Sequence, residues 1–221
     1  MESKKKTLAW HFLKEDRVMR DGKEAPPIGK MLTHKGWISI CESGLHASKD
    51  ILDALEFSPG PHLCRVECLE IECEHDDKLV CCKRTILAEA DITTELHIFA
   101  IWCAEQALDL IDKPDPRSLE ALRVKRLWLD GKASDEELAA ACGAARAAAW
   151  DAAGDAAWDA AGDAAWAAAR AAAWDAAWAA AGDAAWAAAR TAAWDAAGDA
   201  ARAAQRAKLL ELIEPKFKLN K

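Results

Sequence analysis

The sequence predicts an α+β N-terminal domain followed by an all-α helical repeat array rich in alanine and tryptophan. Two observations lead to this fold class. Residues 1–112 have mixed composition with several β-branched and apolar runs, whereas residues 146–205 repeat a four-residue unit of Trp, Gly or Arg, then Asp or Ala, then Ala-Ala. Because alanine is the best helix former and a poor strand former, the repeat is predicted to be helical.

The N-terminal domain is predicted to alternate strands with two helices. Runs rich in apolar and β-branched residues predict strands at 8–13, 37–41, 62–73 and 79–92. Ser48 is a candidate N-cap for a short helix over 49–57. A second helix is expected over 94–112, where apolar residues form one broad face.

Two prolines in the segment 113–116 interrupt helix and mark the clearest boundary. A helix is expected to follow over 117–130 and to stop at Gly131. Ser134 and Glu137 have the spacing of a capping box, which predicts that the next helix opens there. The predicted organisation is an α+β domain over 1–112, a linker helix and turn over 113–134, the repeat region over 135–214 and a tail over 215–221.

Within the repeat, a longer unit of 20 residues relates 158–177 to 178–197. Its Gly-Asp pairs at 162–163 and 182–183 are suited to end one helix and begin the next. We therefore expect antiparallel helices near 144–161, 164–181 and 184–198. A single long helix inside an oligomeric bundle is the alternative, although a period of four residues drifts around a straight helix.

Charge and composition exclude several partners. The net charge of -8 argues against nucleic acid, which needs a surplus of Lys and Arg. No apolar run approaches the length of a bilayer span, and no signal-peptide core follows the N-terminal lysines. The eight cysteines lack the spacing of a secreted disulfide framework, so reduced thiols in a cytoplasm are expected.

The repeat offers a candidate interaction surface, because arginines alternate with tryptophans four residues apart on one helix face. A protein partner, self-association or an anionic small molecule could use it. The other interpretation is an internal stacking ladder that fills space between alanine-rich helices. The residues concerned are Trp166, Arg170, Trp174, Trp186, Arg190 and Trp194.

The most site-like stretch of the N-terminal domain is 41–48, where a strand end, a glycine turn, His46 and Ser48 come together and could seat an anion. His46 could instead be a buried, hydrogen-bonded histidine. Asp77 and Lys78 follow His75 between two strands, which suits either a charged turn or acid-base work. The cysteines of 64–82 lack the paired C-x2-C spacing of zinc sites, so no metal site is predicted. No cofactor and no catalytic residue is predicted either.

Three resemblances accompany these residues. Gly44-Leu-His-Ala-Ser48, the segment 63–67 and Asp77-Lys78 together resemble an uncharacterised domain family of phage and prophage proteins, over about residues 8–103. That family is often followed by short tandem repeats, which implies a phage or prophage origin and brings no known activity. The segment from Asp115-Pro-Arg117 into the repeats is similar to alanine-rich helical proteins assigned as immunity proteins, which implies an all-helical C-terminal half.

Trp10-His11, residues 44–48 and residues 63–66 also resemble the strand order of ADP-ribosyltransferases of the polymerase type. The resemblance implies that His11 and His46 would lie at an NAD site. Phe12 stands where that family has glycine, and His46 stands where it has tyrosine.

The leading hypothesis is a non-enzymatic interaction or ligand-binding protein of phage origin that acts on a factor in the host cytoplasm, with a counter-defence role as one form. The alternatives are an ADP-ribosyltransferase-like or nucleotide-binding activity in the N-terminal domain, centred on His11 and His46, and a structural or assembly component. The candidate ligand-binding residues of this domain are His11, His46, Ser48, Asp77 and Lys78. The sequence favours the non-enzymatic class, because Ala, Trp and Gly cannot transfer protons or bind metals.

Overall fold

The computed structural model describes residues 6–155 and 198–217, which form an antiparallel sheet domain and a set of helices. The strands are β1 (Thr7–Leu13), β2 (Met31–Thr33), β3 (Leu45–Ala47), β4 (His62–Glu74) and β5 (Leu79–Asp91). The helices are α1 (Ile51–Glu56), α2 (Thr93–Leu108), α3 (Pro116–Leu129), α4 (Asp135–Asp155) and α5 (Gly198–Ile213). The N-terminal α+β class is confirmed, and helices follow it.

The sheet is organised around the long β4–β5 hairpin, with β1 antiparallel to β4 and with β2 and β3 both antiparallel to β5. Trp10 of β1 exchanges two backbone hydrogen bonds with Ser48, directly after β3, at 2.7 and 3.0 Å. Backbone pairing therefore runs in a ring from β1 through β4, β5 and β3 back to β1. This ring brings β1 and β3 together, although more than 30 residues separate Trp10 from Ser48.

The strand register places apolar and cysteine side chains on the face that carries the buried core. Alternation along each strand puts every second residue on this face. The register shifts between Arg65 and Val66 and again between Ile71 and Cys73. The second shift leaves Glu72 as the extra residue of β4, and Glu70 just before it has a positive φ of 56°. The core cluster of the sheet comprises Ala9, Leu13, Ala25, Ala47, Cys64, Val66, Cys68, Leu79, Cys81 and Ile86.

Two local predictions for this domain are wrong. Residues 37–41 form turns rather than a strand, and Ser39 and Ser43 make one isolated bridge there.

Ser48 does not cap α1, because its backbone is already paired with Trp10. Asp50 is the N-cap instead, and its carboxylate accepts from Leu52 N at 2.9 Å. A cap residue needs extended backbone immediately before the first turn, and the strand pairing of Ser48 moves that point two residues later.

The described residues divide into two compact units. One holds residues up to Thr93 together with Leu209 and the residues after it, and the other begins at Thr94 and ends at Lys208. The predicted boundaries near 112 and 134 stay predictions.

The second unit contains most of α2 together with α3 and α4. Helix α2 ends at Leu108, four residues earlier than predicted, because Asp109 and Asp112 are unfavourable at the negative end of a helix. The predicted span of α3 is confirmed to within one residue at each end. The helix ends before Gly131, which has a φ of 69°.

Helix α4 opens with the predicted capping box. Ser134 N donates to a Glu137 carboxylate oxygen at 2.7 Å, and Glu137 N donates to Ser134 Oγ at 3.2 Å. Val124, Leu138 and Cys142 form the hydrophobic cluster that joins α3 to α4. The three predicted repeat helices lie largely outside the described residues. Within the described parts of the chain, no helix has both the length and the apolar character needed to cross a bilayer.

Candidate functional site

The sheet domain gathers five basic side chains from three parts of the sequence, residues 11–20, 46 and 78–84. We call this set the basic cluster. Its histidines come from β1 and β3, and its cations come from the loop after β1, from the residue just before β5 and from the middle of β5. The members are His11, Arg20, His46, Lys78 and Arg84.

Arg84 is the most deeply placed member of the basic cluster, with 5% of its surface exposed. It lies opposite Cys68 on β4, and its Nη1 donates to the His46 carbonyl oxygen at 2.5 Å. Among the described residues, no carboxylate forms an ion pair with it. Burial lowers the pKa of Arg84, and the neighbouring cysteine thiols offset this only in part. A guanidinium withdrawn from water without a carboxylate is costly, so an anion would be held strongly here.

His11 lies on β1 in the same cross-strand row as Cys64 and Glu89. Its pKa is well below the usual 6.5, first because the ring is withdrawn from water and then because Arg84, Arg20 and His46 add positive charge. The imidazole is therefore neutral at pH 7 and offers one donor and one acceptor nitrogen. Within the described part of the chain, its ring forms no hydrogen bond, which leaves both nitrogens for a ligand.

His46 is held within its own loop. The Cys41 backbone N–H donates to His46 Nε2 at 3.0 Å, and Cys41 has a left-handed φ of 70°. Burial lowers the pKa of His46, and a backbone hydrogen bond at Gly44 opposes this effect. The bond from Cys41 therefore ties the His46 ring to the 41–46 turn, and the His46 carbonyl oxygen positions Arg84.

Lys78 and Arg20 meet at Phe57, the residue that ends α1. Lys78 Nζ lies 4.1 Å from the centroid of the Phe57 ring, and Arg20 Nη2 donates to the Phe57 carbonyl oxygen at 2.8 Å. Asp77 forms an ion pair with Lys78 at 3.4 Å. Burial lowers the pKa of Lys78, but the Cys41 thiol and Asp77 outweigh it, so the net shift is upward and the ammonium is retained.

The structure thus brings His11, His46 and Lys78 into one cluster, with Asp77 as the ion-pair partner of Lys78. Ser48 is buried, and its main role is the backbone bridge to Trp10. Sequence reasoning missed Arg84. Strand alternation could have found it, because one of the adjacent Lys83 and Arg84 had to face the core.

A second polar group lies beside the basic cluster on the same face. Glu89 forms an ion pair with Arg17, whose Nε is 2.8 Å from Glu89 Oε1. His62 Nε2 and Cys64 Sγ lie 3.6 and 3.9 Å from Glu89 Oε2. Burial, followed by the charge of Glu89, raises the pKa of the Cys64 thiol to about 12, so this thiol is protonated at pH 7.

The predicted interaction residues of the repeat lie outside the described residues. They are Trp166, Arg170, Trp174, Trp186, Arg190 and Trp194. Their role as a surface or as an internal ladder stays a prediction.

Comparison with known proteins gives one similarity, which is confined to the sheet domain and the start of α2. No curated protein and no solved structure matches the chain. Residues 8–98, which include every member of the basic cluster, match the family model described as a domain of unknown function, DUF7666.

Proposed function

We propose that this is a non-enzymatic binding protein whose N-terminal domain binds a small anionic ligand through the basic cluster. The observation that carries the proposal is Arg84, which is 5% exposed and forms no carboxylate ion pair within the described residues. An anion bound by this guanidinium would offset the free energy of its desolvation. Charge-assisted hydrogen bonds of this kind are about twice as strong as neutral ones.

The role of each group follows from its surroundings. Arg84 contacts the anion, and neutral His11 donates to or accepts from the same ligand. Lys78 and Arg20 add positive charge from the Phe57 side. His46 is a positioning residue, because its carbonyl oxygen fixes the Arg84 guanidinium.

Isothermal titration calorimetry of the full chain against inorganic phosphate, ADP-ribose, NAD and cyclic nucleotides tests this proposal. Arg84→Met removes the charge and keeps the length of the side chain. Lys83→Met is the matched control, because Lys83 is the adjacent residue on β5 and is paired with Glu70 at 2.8 Å. We expect at least one anion to bind, with a loss of 10-fold or more in Arg84→Met and little change in Lys83→Met. If none of these compounds binds, or if both variants bind equally, the anion-binding proposal is wrong.

An ADP-ribosyltransferase-like activity is the second candidate. It is favoured by the backbone bridge between Trp10 and Ser48, which joins the two segments that resemble the NAD-binding strands of that family. Release of nicotinamide from NAD by the full chain, lost in His11→Ala, would support it. Tight NAD binding without release of nicotinamide would be consistent with the binding function and would exclude the ADP-ribosyltransferase-like activity.

We propose that the C-terminal half supplies an interaction surface, which binds either a host protein or a second copy of the chain. This part of the proposal rests on the fixed sequence spacing of tryptophan and arginine, and the phage origin and host cytoplasmic setting rest on the family resemblance. A chain with Trp166, Arg170, Trp186 and Arg190 changed to Ala should lose self-association in light scattering or capture of its partner. Retention of both would contradict the interaction role, and a clean monomer in the natural chain would exclude an assembly component.

A further inference from the structure

The strands β4 and β5 bring three side chains with metal-binding atoms to one place. His62 and Cys64 are two residues apart on β4, so they share a face of the sheet, and Glu89 of β5 is directly opposite Cys64. Among the described residues these three form a set whose donor atoms all lie within 4.8 Å of one another. The predicted absence of a zinc site rested on the lack of paired C-x2-C spacing, but strand register can assemble a site without that spacing.

Two of the three donor separations are close to those of a tetrahedral metal site, and all three lie within 4.8 Å. With Zn–N and Zn–O bonds of roughly 2.1 Å and a Zn–S bond of roughly 2.3 Å, nitrogen and oxygen ligands lie about 3.4 Å apart, and sulfur and oxygen about 3.6 Å apart. The corresponding separations are 3.6 Å for His62 Nε2 to Glu89 Oε2 and 3.9 Å for Cys64 Sγ to the same oxygen. Side-chain shifts of a few tenths of an ångström would therefore complete these two contacts.

The surroundings also favour a metal ligand role. His62 Nε2 is buried and has no hydrogen-bond partner within the described structure, and Cys64 is fully buried. A buried polar atom left without a hydrogen bond destabilises the fold, so a metal bound at this nitrogen would remove that cost. One imidazole nitrogen, one sulfur and one carboxylate oxygen form a borderline-soft set, which suits zinc rather than magnesium or calcium.

Two guanidinium groups could oppose a cation. Arg17 holds both Glu89 oxygens, with Nε 2.8 Å from Oε1 and Nη2 donating to Oε2 at 3.1 Å, and the charge of Arg84 also acts on the Cys64 thiol. A carboxylate has about four lone-pair sites, so Glu89 Oε2 can give its second lone pair to a metal while Arg17 keeps both contacts. Hydrogen-bonded partners of this kind orient metal ligands in many sites. The added charge is reduced when Cys64 binds, since its thiol proton passes to solvent as the zinc–thiolate bond forms.

We propose that His62, Cys64 and Glu89 bind one zinc ion, with a water molecule as the fourth ligand. The site is distinct from the anion site proposed at Arg84 and does not depend on it. The same face of the sheet would then bind a cation in addition to the proposed anion.

Cobalt(II) titration of the chelator-treated full chain tests the site, because a cobalt–thiolate bond gives an intense charge-transfer absorption and tetrahedral cobalt gives strong visible bands. We expect one equivalent of cobalt to bind and zinc to displace it. Cys64→Ser should abolish the charge-transfer band, and His62→Gln and Glu89→Gln should each weaken binding at least 10-fold. Cys68→Ser is the matched control, because Cys68 is a buried thiol four residues after Cys64, on the same face of β4.

Absence of a thiolate band in the natural chain would overturn the proposal. A band that survives in Cys64→Ser, or that is lost equally in Cys68→Ser, would overturn it as well. Circular dichroism of each variant establishes that it is folded. The Glu89→Gln variant, which preserves side-chain shape, keeps the test decisive if Cys64→Ser fails to fold.

Discussion

Arg84 donates a hydrogen bond of 2.5 Å to the backbone carbonyl oxygen of His46, which ties the middle of β5 to β3 beside the basic cluster. The two residues are 38 positions apart in the chain. This bond positions a buried cation without neutralising it, because a carbonyl oxygen carries only a partial charge. The bond therefore fixes the position of the guanidinium in the proposed anion site.

Arg84→Met should change the free energy of unfolding of the unliganded protein by no more than about 1 kcal/mol. The variant loses one hydrogen bond to the His46 carbonyl oxygen, but it also removes the desolvation penalty of the buried guanidinium. Urea unfolding followed by circular dichroism measures the difference. A loss of about 3 kcal/mol or more would instead identify Arg84 as a structural residue.

Gly44→Ala should destabilise the sheet domain by about 3 kcal/mol, because it combines left-handed backbone strain with overpacking. Gly44 has a φ of 118°, and an added Cβ would overlap Val80 Cγ2. Gly22→Ala is the matched control, since Gly22 has a φ of 82° but nothing within 4 Å of the added atom. It should lose only about 1 kcal/mol. Equal losses in urea unfolding would show that the contact with Val80 is unimportant.

His97 should make the second unit less stable in acid. Burial first, and then the charge of Lys125, lower the pKa of His97 to about 4. The folded state therefore disfavours the protonated ring. Its contribution is complete above the unfolded pKa of about 6.5 and is lost as the pH falls from there to about 4, a total of about 3 kcal/mol.

Urea unfolding at several pH values, comparing the natural chain with His97→Phe, measures this contribution. The phenyl ring can keep the edge contact with Trp128, whose ring centroid lies 5.3 Å from that of His97, and it does not titrate. The difference in stability between the two proteins should shrink or reverse below pH 6. His75→Gln, at an exposed turn, should retain the pH dependence of the natural chain. A difference that does not vary with pH would refute the role of His97.

Ser134→Ala should destabilise α4 by about 1 kcal/mol, since the first turn loses the side-chain acceptor for Glu137 N. Ser134→Asp should restore most of the loss, because a carboxylate also accepts at this position and favours the positive end of the helix. Thermal unfolding by circular dichroism compares the three proteins. No recovery in Ser134→Asp would show that capping is not the cause.

Local sequence signals predicted much of the fold correctly. The long strands β4 and β5, the end of α3 at Gly131 and the capping box at Ser134 depend on neighbours within a few residues, so composition and spacing are enough to find them. The strand predicted at 37–41 is wrong because that prediction also used only local signals. Its apolar residues have strand character, but no neighbouring strand pairs with them.

The candidate site was predicted only in part. His11, His46 and Lys78 were named from a turn, a histidine and a resemblance, whereas Arg84 carries no local motif. Its importance depends on burial and on the lack of a carboxylate partner among the described residues, neither of which can be read from one segment.

The sequence by itself determined the long strands β4 and β5, the capping box at Ser134 and the end of α3 before Gly131, because these follow from short-range geometry and composition. Only the tertiary structure decided which side chains meet. The pairing of β3 with both β5 and β1 places His46 against Arg84, and the register of β4 with β5 places His62 and Cys64 against Glu89. Hydrogen-bonded pairing of distant strands sets these contacts, and a shift of one residue would turn each side chain to the other face.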